Sequence, residues 1–224
     1  MLRLVLLVCA LAATAGAADR LQQTLGKMDQ AAALFKGLTA GITKVHYTFV
    51  IQESDEQKGT IVVRRPKPKD MQVLLDIKEP APQQVQLLAR TVRIYDPAKK
   101  SGQEVPLDRK YGSLVNEYML LGFGSSPTDL QQTFTIGRSE SDAIGGRPAT
   151  KIELTPKKVD TALHLIRAEL WISDETGVAL QQQFHYAGGD YDLVTYSNMK
   201  LADVPESAVQ LNAPRNIKWE NPLK

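Results

Sequence analysis

The feature that most constrains the fold of this chain is an alternation of apolar and polar side chains with a period of two residues. The alternation recurs in segments 45–52, 71–77, 166–172, 178–186 and 193–199. Successive side chains of a β-strand point to opposite faces, so this period is typical of strands with two unlike faces. The connections are short and rich in Gly, Asp and Pro, which favours tight turns over helical crossovers. The sequence therefore predicts an antiparallel sheet of about ten strands with a few helices.

A helix is predicted near the start of the chain, because apolar residues recur there at steps of three and four. These residues are Leu21, Leu25, Met28, Ala32 and Phe35. Gly37 and Gly41 follow, and glycine commonly ends a helix, so we expect the helix to stop at these residues.

A second helical region is predicted between Tyr111 and Gln132. Its first helix is predicted from apolar residues at helical spacing, which are Leu114, Val115, Tyr118 and Leu121. Its second helix is predicted to begin at Ser126 as the N-cap, with Pro127 at the first helical position.

Four smaller elements complete the prediction. We expect a polar loop over 54–59, strands over 60–65 and 134–137, and a last helical turn over 205–209.

Residues 1–18 have the composition of a cleaved export signal. Arg3 precedes an apolar run over 4–13, and Ala15-Gly16-Ala17 fits the rule for signal peptidase, with Gly16-Ala17-Ala18 one step later as the other option. The run is too short to span a bilayer, which needs about 20 apolar residues. We therefore expect residues 1–18 to be removed and residues 19–224 to act in the periplasm as a single domain. The only cysteine, Cys9, lies in the signal, so disulfides, thiolate nucleophiles and cysteine-bound metals are excluded from the mature chain.

Composition and motifs argue against catalysis and against nucleic-acid binding. The chain carries 27 Lys and Arg against 25 Asp and Glu, and its one basic cluster, 64–69, is typical of a solvated turn. The serine-nucleophile motif G-x-S-x-G is absent, and the glycine-rich 122–126 lacks a phosphate-binding lysine. His46, His164 and His185 do not have metal-ligand spacing, although the fold could still bring them together. We therefore predict a protein that is not an enzyme, with no cofactor and no metal, and keep an exported hydrolase as the least favoured alternative.

A binding protein is the favoured class, and the apolar positions of the early strands are the candidate ligand site. The predicted lining is Tyr47, Phe49, Ile51, Met71, Val73 and Leu75, with Leu114, Tyr118 and Leu121 as a helical cover. A filled core and an apolar cavity have the same periodicity, so both interpretations remain open at this point.

Four segments, taken in order, resemble the LolA family of periplasmic lipoprotein carriers. They are Gly59–Pro66 with its Arg-Pro ending, Val92–Pro97 with Tyr-Asp-Pro, Ile152–Lys157 with Leu-Thr-Pro-Lys, and the closing Val209–Pro214. The predicted leading helix and the strand that follows it also resemble this family. The resemblance covers most of the chain after residue 18.

The resemblance implies an unclosed antiparallel half-barrel covered by lid helices. It also implies a carrier, expected to be a monomer, that takes acylated lipoproteins from an inner-membrane ABC transporter to an outer-membrane acceptor. The family carries a lid-latching arginine on the strand after the first helix, but residues 44–54 contain none. A periplasmic binder or sensor of another lipid on the same fold is therefore the alternative.

Overall fold

The computed structural model describes residues 2–67, 70–88, 90–107, 121–158 and 164–222, with residues 2–17 described as backbone only. The helices are α1 (Leu2–Leu34) and α2 (Pro127–Thr133), with a 3-10 turn at Glu206–Val209. The first six strands are β1 (Gly37–Thr48), β2 (Glu53–Lys67), β3 (Asp70–Glu79), β4 (Gln83–Leu88), β5 (Thr91–Asp96) and β6 (Ser101–Pro106). The other six are β7 (Phe134–Ile144), β8 (Arg147–Pro156), β9 (Leu165–Ser173), β10 (Ala179–Tyr186), β11 (Tyr191–Leu201) and β12 (Trp219–Glu220).

The strands form one sheet of 12 strands in the order β12-β6-β5-β4-β3-β2-β1-β11-β10-β9-β8-β7. Neighbours from β2 to β6 and from β7 to β10 pair antiparallel, whereas the short β12 pairs parallel to β6. In the described part of the chain, β12 and β7 lie at opposite ends of this order, so the sheet is not closed. The predicted fold class, an unclosed antiparallel half-barrel with a few helices, is confirmed.

The chain divides into two compact units. The first unit comprises residues 1–34, 48–51 and 121–193, and therefore contains both helices and the strands β7 to β10. The second unit comprises residues 35–47, 52–120 and 194–224, and contains β2 to β6 together with the C-terminal segment.

The core of the first unit lies between α1 and the strands β7 and β8. Leu25, Met28 and Ala32 of α1 are buried, as their helical spacing predicts. They share the interior with fully buried side chains of the sheet and of the segment before α2, which include Phe123, Phe134, Ile152, Leu154 and Leu170.

The N-terminus of α2 confirms a purely local prediction. Ser126 is the N-cap, and its hydroxyl oxygen accepts a hydrogen bond from the backbone N–H of Asp129 at 3.1 Å. Pro127 occupies the first turn, where its missing N–H costs nothing. The predicted helix over 111–121 falls in residues 108–120 for the most part, which lie outside the described residues.

The predicted end of the first helix is wrong. Helix α1 ends at Leu34, and both Gly37 and Gly41 belong to β1. A Cβ at Gly37 would lie 2.5 Å from the carbonyl oxygen of Val63, and one at Gly41 would lie 2.6 Å from Oγ of Ser197. These glycines allow close approach of neighbouring chain segments rather than ending a helix.

Three strand boundaries also differ from the prediction. The strand predicted over 45–52 ends at Thr48, and residues 49–52 form a turn in which Gln52 has a φ of 55°. The loop predicted over 54–59 is part of β2, and the strand predicted over 134–137 continues to Ile144. Residues 54–59 and 138–144 are mostly polar and exposed, so their strand pairing has no hydrophobic signal.

Within the described residues, no helix combines the length and the apolar character needed to cross a bilayer.

An apolar face on strands β2 to β6

One face of the second unit is apolar across five neighbouring strands. The register aligns Ile61 with Leu75, Leu75 with Val85, and Val85 with Ile94. A second row, displaced by two residues in each strand and therefore on the same face, aligns Val63, Val73, Leu87, Val92 and Val105. We refer to these residues, with Met71 and Ile77 at the same alternation of β3, as the apolar face. Cross-strand contacts between aliphatic side chains make such rows continuous surfaces.

The apolar face is unevenly exposed. Val63, Val73 and Leu87 are closed off from solvent, with exposed fractions of 0%, 2% and 1%. By contrast, Leu75 and Val85 are only half-buried, as are Val92, Ile94 and Val105. The face therefore joins packed side chains to a partly exposed group that includes Leu75, Val85 and Ile94, which we call the reachable row.

The opposite face of the same strands mixes polar side chains with the apolar Val62, Leu74 and Tyr95. It is covered by residues 204–219, which we call the C-terminal segment. The buried side chain of Gln86 donates a hydrogen bond to the carbonyl of Val209 at 2.7 Å. Gln84 accepts one from the backbone N–H of Asn212 at 2.8 Å. Arg64 Nε donates one to the carbonyl of Val204 at 3.1 Å. Long-range hydrogen bonds from the strands thus satisfy the backbone of this segment.

At the β6 end of the sheet, the cover is completed by an aromatic ring. Arg93 pairs with Glu104 at 2.6 Å, and its guanidinium lies 5.4 Å from the centroid of the Trp219 ring. Gly102 lies against the same ring, since a Cβ there would approach Trp219 to 2.7 Å. The two faces of β2 to β6 therefore differ in chemistry. One is held by hydrogen bonds to the C-terminal segment, and the other is lined mainly by aliphatic side chains, with Gln83 and Gln103 at its margins.

Known proteins are similar to this chain in structure but not significantly in sequence. No family model matches the chain, and no curated protein is significantly similar to it. The crystal structure of MucB is similar with a TM-score of 0.53 at 18% identity, over 89% of this chain and 64% of MucB. An uncharacterised conserved protein from Thermus thermophilus is similar with a TM-score of 0.55 at 12% identity, over 90% and 99%. LprF from Mycobacterium bovis is similar with a TM-score of 0.51 at 14% identity, over 88% and 99%.

These three structures are similar to this chain in fold. The sheet of this chain is the unclosed half-barrel that the resemblance to the LolA family implies. This chain spans less than two thirds of the length of MucB but nearly all of the other two proteins.

Within this fold, three of the predicted lining residues meet on the apolar face. Met71 and Val73 are buried there at 5% and 2% exposure, and Leu75 is half-buried. Tyr47 is half-buried on β1, in the same unit. The grouping of Met71, Val73 and Leu75 follows directly from their alternation along β3.

The other predicted lining residues lie elsewhere. Phe49 and Ile51 belong to the first unit, where they are exposed in the turn after β1. Leu121 is fully buried in that unit, and its carbonyl accepts a hydrogen bond from the side chain of Gln182. Leu114 and Tyr118, the predicted helical cover, lie outside the described residues.

Sequence reasoning missed the part of the apolar face that lies beyond β3. Val85, Leu87, Val92 and Ile94 belong to two strands of six residues each, and Val105 to a third. The signal that could have found them is the same alternation, which is short in each strand but continuous across all of them.

The first unit carries an ion-pair network on the strands β7 to β10. Lys151 Nζ lies 2.7 Å from Glu140 and 3.4 Å from Glu169, and the other oxygen of Glu169 lies 3.1 Å from Nε2 of His185. Arg167 contacts the same imidazole nitrogen at 3.2 Å. Burial alone would raise the pKa of Glu169, but the hydrogen bond from His185 and the charges of Lys151 and Arg167 outweigh it and lower that pKa.

The three histidines occupy separate places. His185 belongs to this network on β10, His46 lies on β1 of the second unit, and His164 directly precedes β9. The described residues contain no group of three His, Cys, Asp or Glu side chains that could hold a metal ion. The charges of this network are paired to one another across β7 to β10.

Proposed function

We propose that this chain is a periplasmic carrier that binds the acyl chains of lipoproteins on the apolar face and transfers them between membranes. The observation that supports this most is the half-buried row of Leu75, Val85 and Ile94 beside a packed apolar row. A row of this kind offers hydrocarbon to a ligand without requiring that the sheet be unfolded.

The chemistry of the face suits an acyl chain. Its side chains are aliphatic, so contact with them is non-directional and depends on the area removed from water. Transfer of an acyl chain from water to hydrocarbon is worth about 0.8 kcal/mol per CH₂, so a multiply acylated anchor does not cross an aqueous compartment unprotected. A protein surface of comparable character can shield it and release it again.

The two unlike faces of β2 to β6 support binding without hydrolysis. Hydrogen bonds such as Gln86 to Val209 fix the C-terminal segment to one side, so the opposite side can exchange a ligand while the sheet keeps its own structure. No step of such a cycle needs a catalytic residue, cofactor or metal in the carrier.

The partners follow from the family resemblance. They are acylated lipoproteins as cargo, an inner-membrane ABC transporter as donor and an outer-membrane acceptor as recipient. The export signal predicted over 1–18 supports a periplasmic location, and neither composition nor motifs suggest nucleic acid. A monomer is sufficient, because the whole apolar face lies on one chain.

A second candidate is a binder or sensor of a different lipid on the same fold. The observation that favours it is the absence of an arginine from residues 44–54, where the family carries its lid latch. The chemical class of the ligand, a free lipid or an acylated polypeptide, separates the two candidates.

The proposed site can be tested with a fluorescent fatty acid, such as a dansyl-labelled acyl chain, and two matched variants. Leu75→Lys places a charge on the reachable row of the apolar face and is expected to weaken probe binding at least about tenfold. Leu201→Lys is the control, because Leu201 belongs to the same unit but is already 47% exposed at the end of β11.

The proposal predicts normal probe binding by the Leu201 variant and a folded circular dichroism spectrum for both variants. Equal probe binding by the Leu75 variant and the wild type would show that the apolar face is not the ligand site.

A further inference from the structure

Three consecutive apolar side chains are exposed in the turn between β1 and β2. The exposed fractions of Phe49, Val50 and Ile51 are 53%, 85% and 60%. Only three other large apolar residues of the described part are exposed, and they are scattered: Leu34, Ile166 and Leu201. Single exposed apolar residues are ordinary on protein surfaces, but a contiguous group at the end of a hairpin marks an interaction site. We call these three residues the apolar tip.

The apolar tip is held in place by a second turn of the same unit. The backbone N–H of Phe49 donates a hydrogen bond to Oδ1 of Asp190 at 2.8 Å. The ring of Phe49 lies against Gly189, where a Cβ would approach Cγ of the ring to 2.8 Å. The φ of Gly189 is 98°, a conformation that side chains disfavour. The exposure is therefore part of a fixed conformation, with a backbone donor of the tip already satisfied inside the protein.

The two turns that meet at the apolar tip carry little charge, and this argues for a binding partner without net charge. Residues 48–51 and 187–190 contain no lysine, arginine or histidine, and their only charged side chain is the carboxylate of Asp190. Binding to anionic lipid depends on basic side chains near the surface. A surface without net charge, such as a zwitterionic bilayer, complements this tip better.

The small size of the apolar tip argues against a protein as its binding partner. A stable protein–protein interface takes roughly 20–30 residues from each side. Three side chains fall far short of that number, whereas a lipid interface accepts a few apolar side chains that add up to weak, reversible binding.

We propose that the apolar tip, Phe49 to Ile51, is a membrane-docking element that inserts into zwitterionic lipid. This inference goes beyond the proposed function, because it concerns the first unit and does not require a ligand on the apolar face. It assigns the protein a direct contact with the bilayer surface, independent of any protein acceptor.

The test is flotation of protein recovered from the periplasm, with its N-terminus read by intact mass, on vesicles of phosphatidylcholine. Val50→Asp changes the most exposed residue of the tip and is expected to lower the partition coefficient at least about tenfold. Leu34→Asp is the matched control, because Leu34 is 80% exposed in the same unit but isolated. It is expected to bind vesicles like the wild type.

Three results would overturn the proposal. The first is a wild-type protein that does not float with phosphatidylcholine vesicles, in which case the tip would instead dock into a protein. The second is equal loss of binding by the Val50 and Leu34 variants, and the third is no loss by either variant.

A salt series provides an independent readout. Binding through the apolar tip is expected to be insensitive to NaCl and not to increase when anionic phosphatidylglycerol is added. Binding that needs anionic lipid and disappears in salt would show that basic side chains elsewhere make the contact, and would contradict the proposal. The Val50 variant should also bind the fluorescent fatty acid normally, so failure of the docking element and failure of the proposed carrier function remain distinguishable.

Discussion

The side-chain amide of Gln86 on β4 donates a 2.7 Å hydrogen bond to the carbonyl oxygen of Val209 in the C-terminal segment. Both residues are almost completely buried, at 1% and 0% exposure. This contact joins residues 123 positions apart and fixes the C-terminal segment on the side of β4 that lies opposite the apolar face.

Removal of the Gln86 side chain is expected to destabilise the protein. Gln86→Ala leaves the buried carbonyl of Val209 without its donor, and the cost of such an unsatisfied group is about 1–3 kcal/mol. Gln83→Ala is the control, because Gln83 lies on the same strand but is exposed. Urea unfolding should show a lower midpoint for the Gln86 variant only. Equal midpoints for the two variants would mean that the C-terminal segment is held by other contacts.

Gly177 and Gly146 allow a comparison of backbone strain with steric overlap in the first unit. Both have positive φ, 69° and 76°, so alanine at either position costs roughly 1–2 kcal/mol in backbone conformation. A Cβ at Gly177 would lie 2.4 Å from the carbonyl oxygen of Lys27, whereas Gly146 has open space around it. Thermal unfolding should therefore show a clearly larger loss for Gly177→Ala than for Gly146→Ala. A similar loss for both would show that α1 shifts away from the turn without cost.

Glu169 is expected to contribute to the pH dependence of stability. The network of His185, Lys151 and Arg167 lowers the pKa of its carboxyl below the ordinary value of 4.5. A carboxyl with a lowered pKa in the folded state stabilises the protein fully above its unfolded value, and this contribution is lost as the pH falls through the folded pKa. The free energy of unfolding of Glu169→Gln should therefore be lower than that of the wild type at neutral pH.

The difference between wild type and Glu169→Gln is expected to shrink as the pH falls below 4.5. Urea unfolding at a series of pH values measures it. Glu175→Gln is the control, since Glu175 is exposed on the turn after β9. A difference that stayed constant down to acidic pH would show that the glutamine disturbs packing rather than removing a stabilised charge.

Features that depend on neighbours in sequence could be predicted. The alternation of Met71, Val73 and Leu75 correctly groups them on one face of β3, because side-chain direction in a strand follows from position alone. Ser126 and Pro127 correctly predict the start of α2, because capping is a contact over three residues.

Features that depend on distant contacts could not be predicted. Gly37 and Gly41 have the local pattern of a helix end, yet their function is close approach to Val63 and Ser197, which lie far along the chain. Phe49 continues the alternation of β1, but its N–H bonds to Asp190, more than a hundred residues later, and the strand ends at Thr48.

The candidate site also has a part that could be predicted from neighbours in sequence and a part that depends on distant contacts. The residues of β3 were found from one strand, but the rest of the apolar face exists only because Leu75, Val85 and Ile94 lie side by side in the register. Periodicity within one strand contains no information on that register, and therefore none on whether the face is packed or reachable.

The most direct test of the proposed carrier is native mass spectrometry of the protein purified from periplasm without detergent. The expected result is a bound acylated polypeptide that is lost in the Leu75→Lys variant. A free lipid in its place would favour the second candidate, a binder or sensor of another lipid. A protein that carries no ligand, and that also fails to bind an added hydrophobic dye, would contradict the account, because the apolar face would then be part of a filled core.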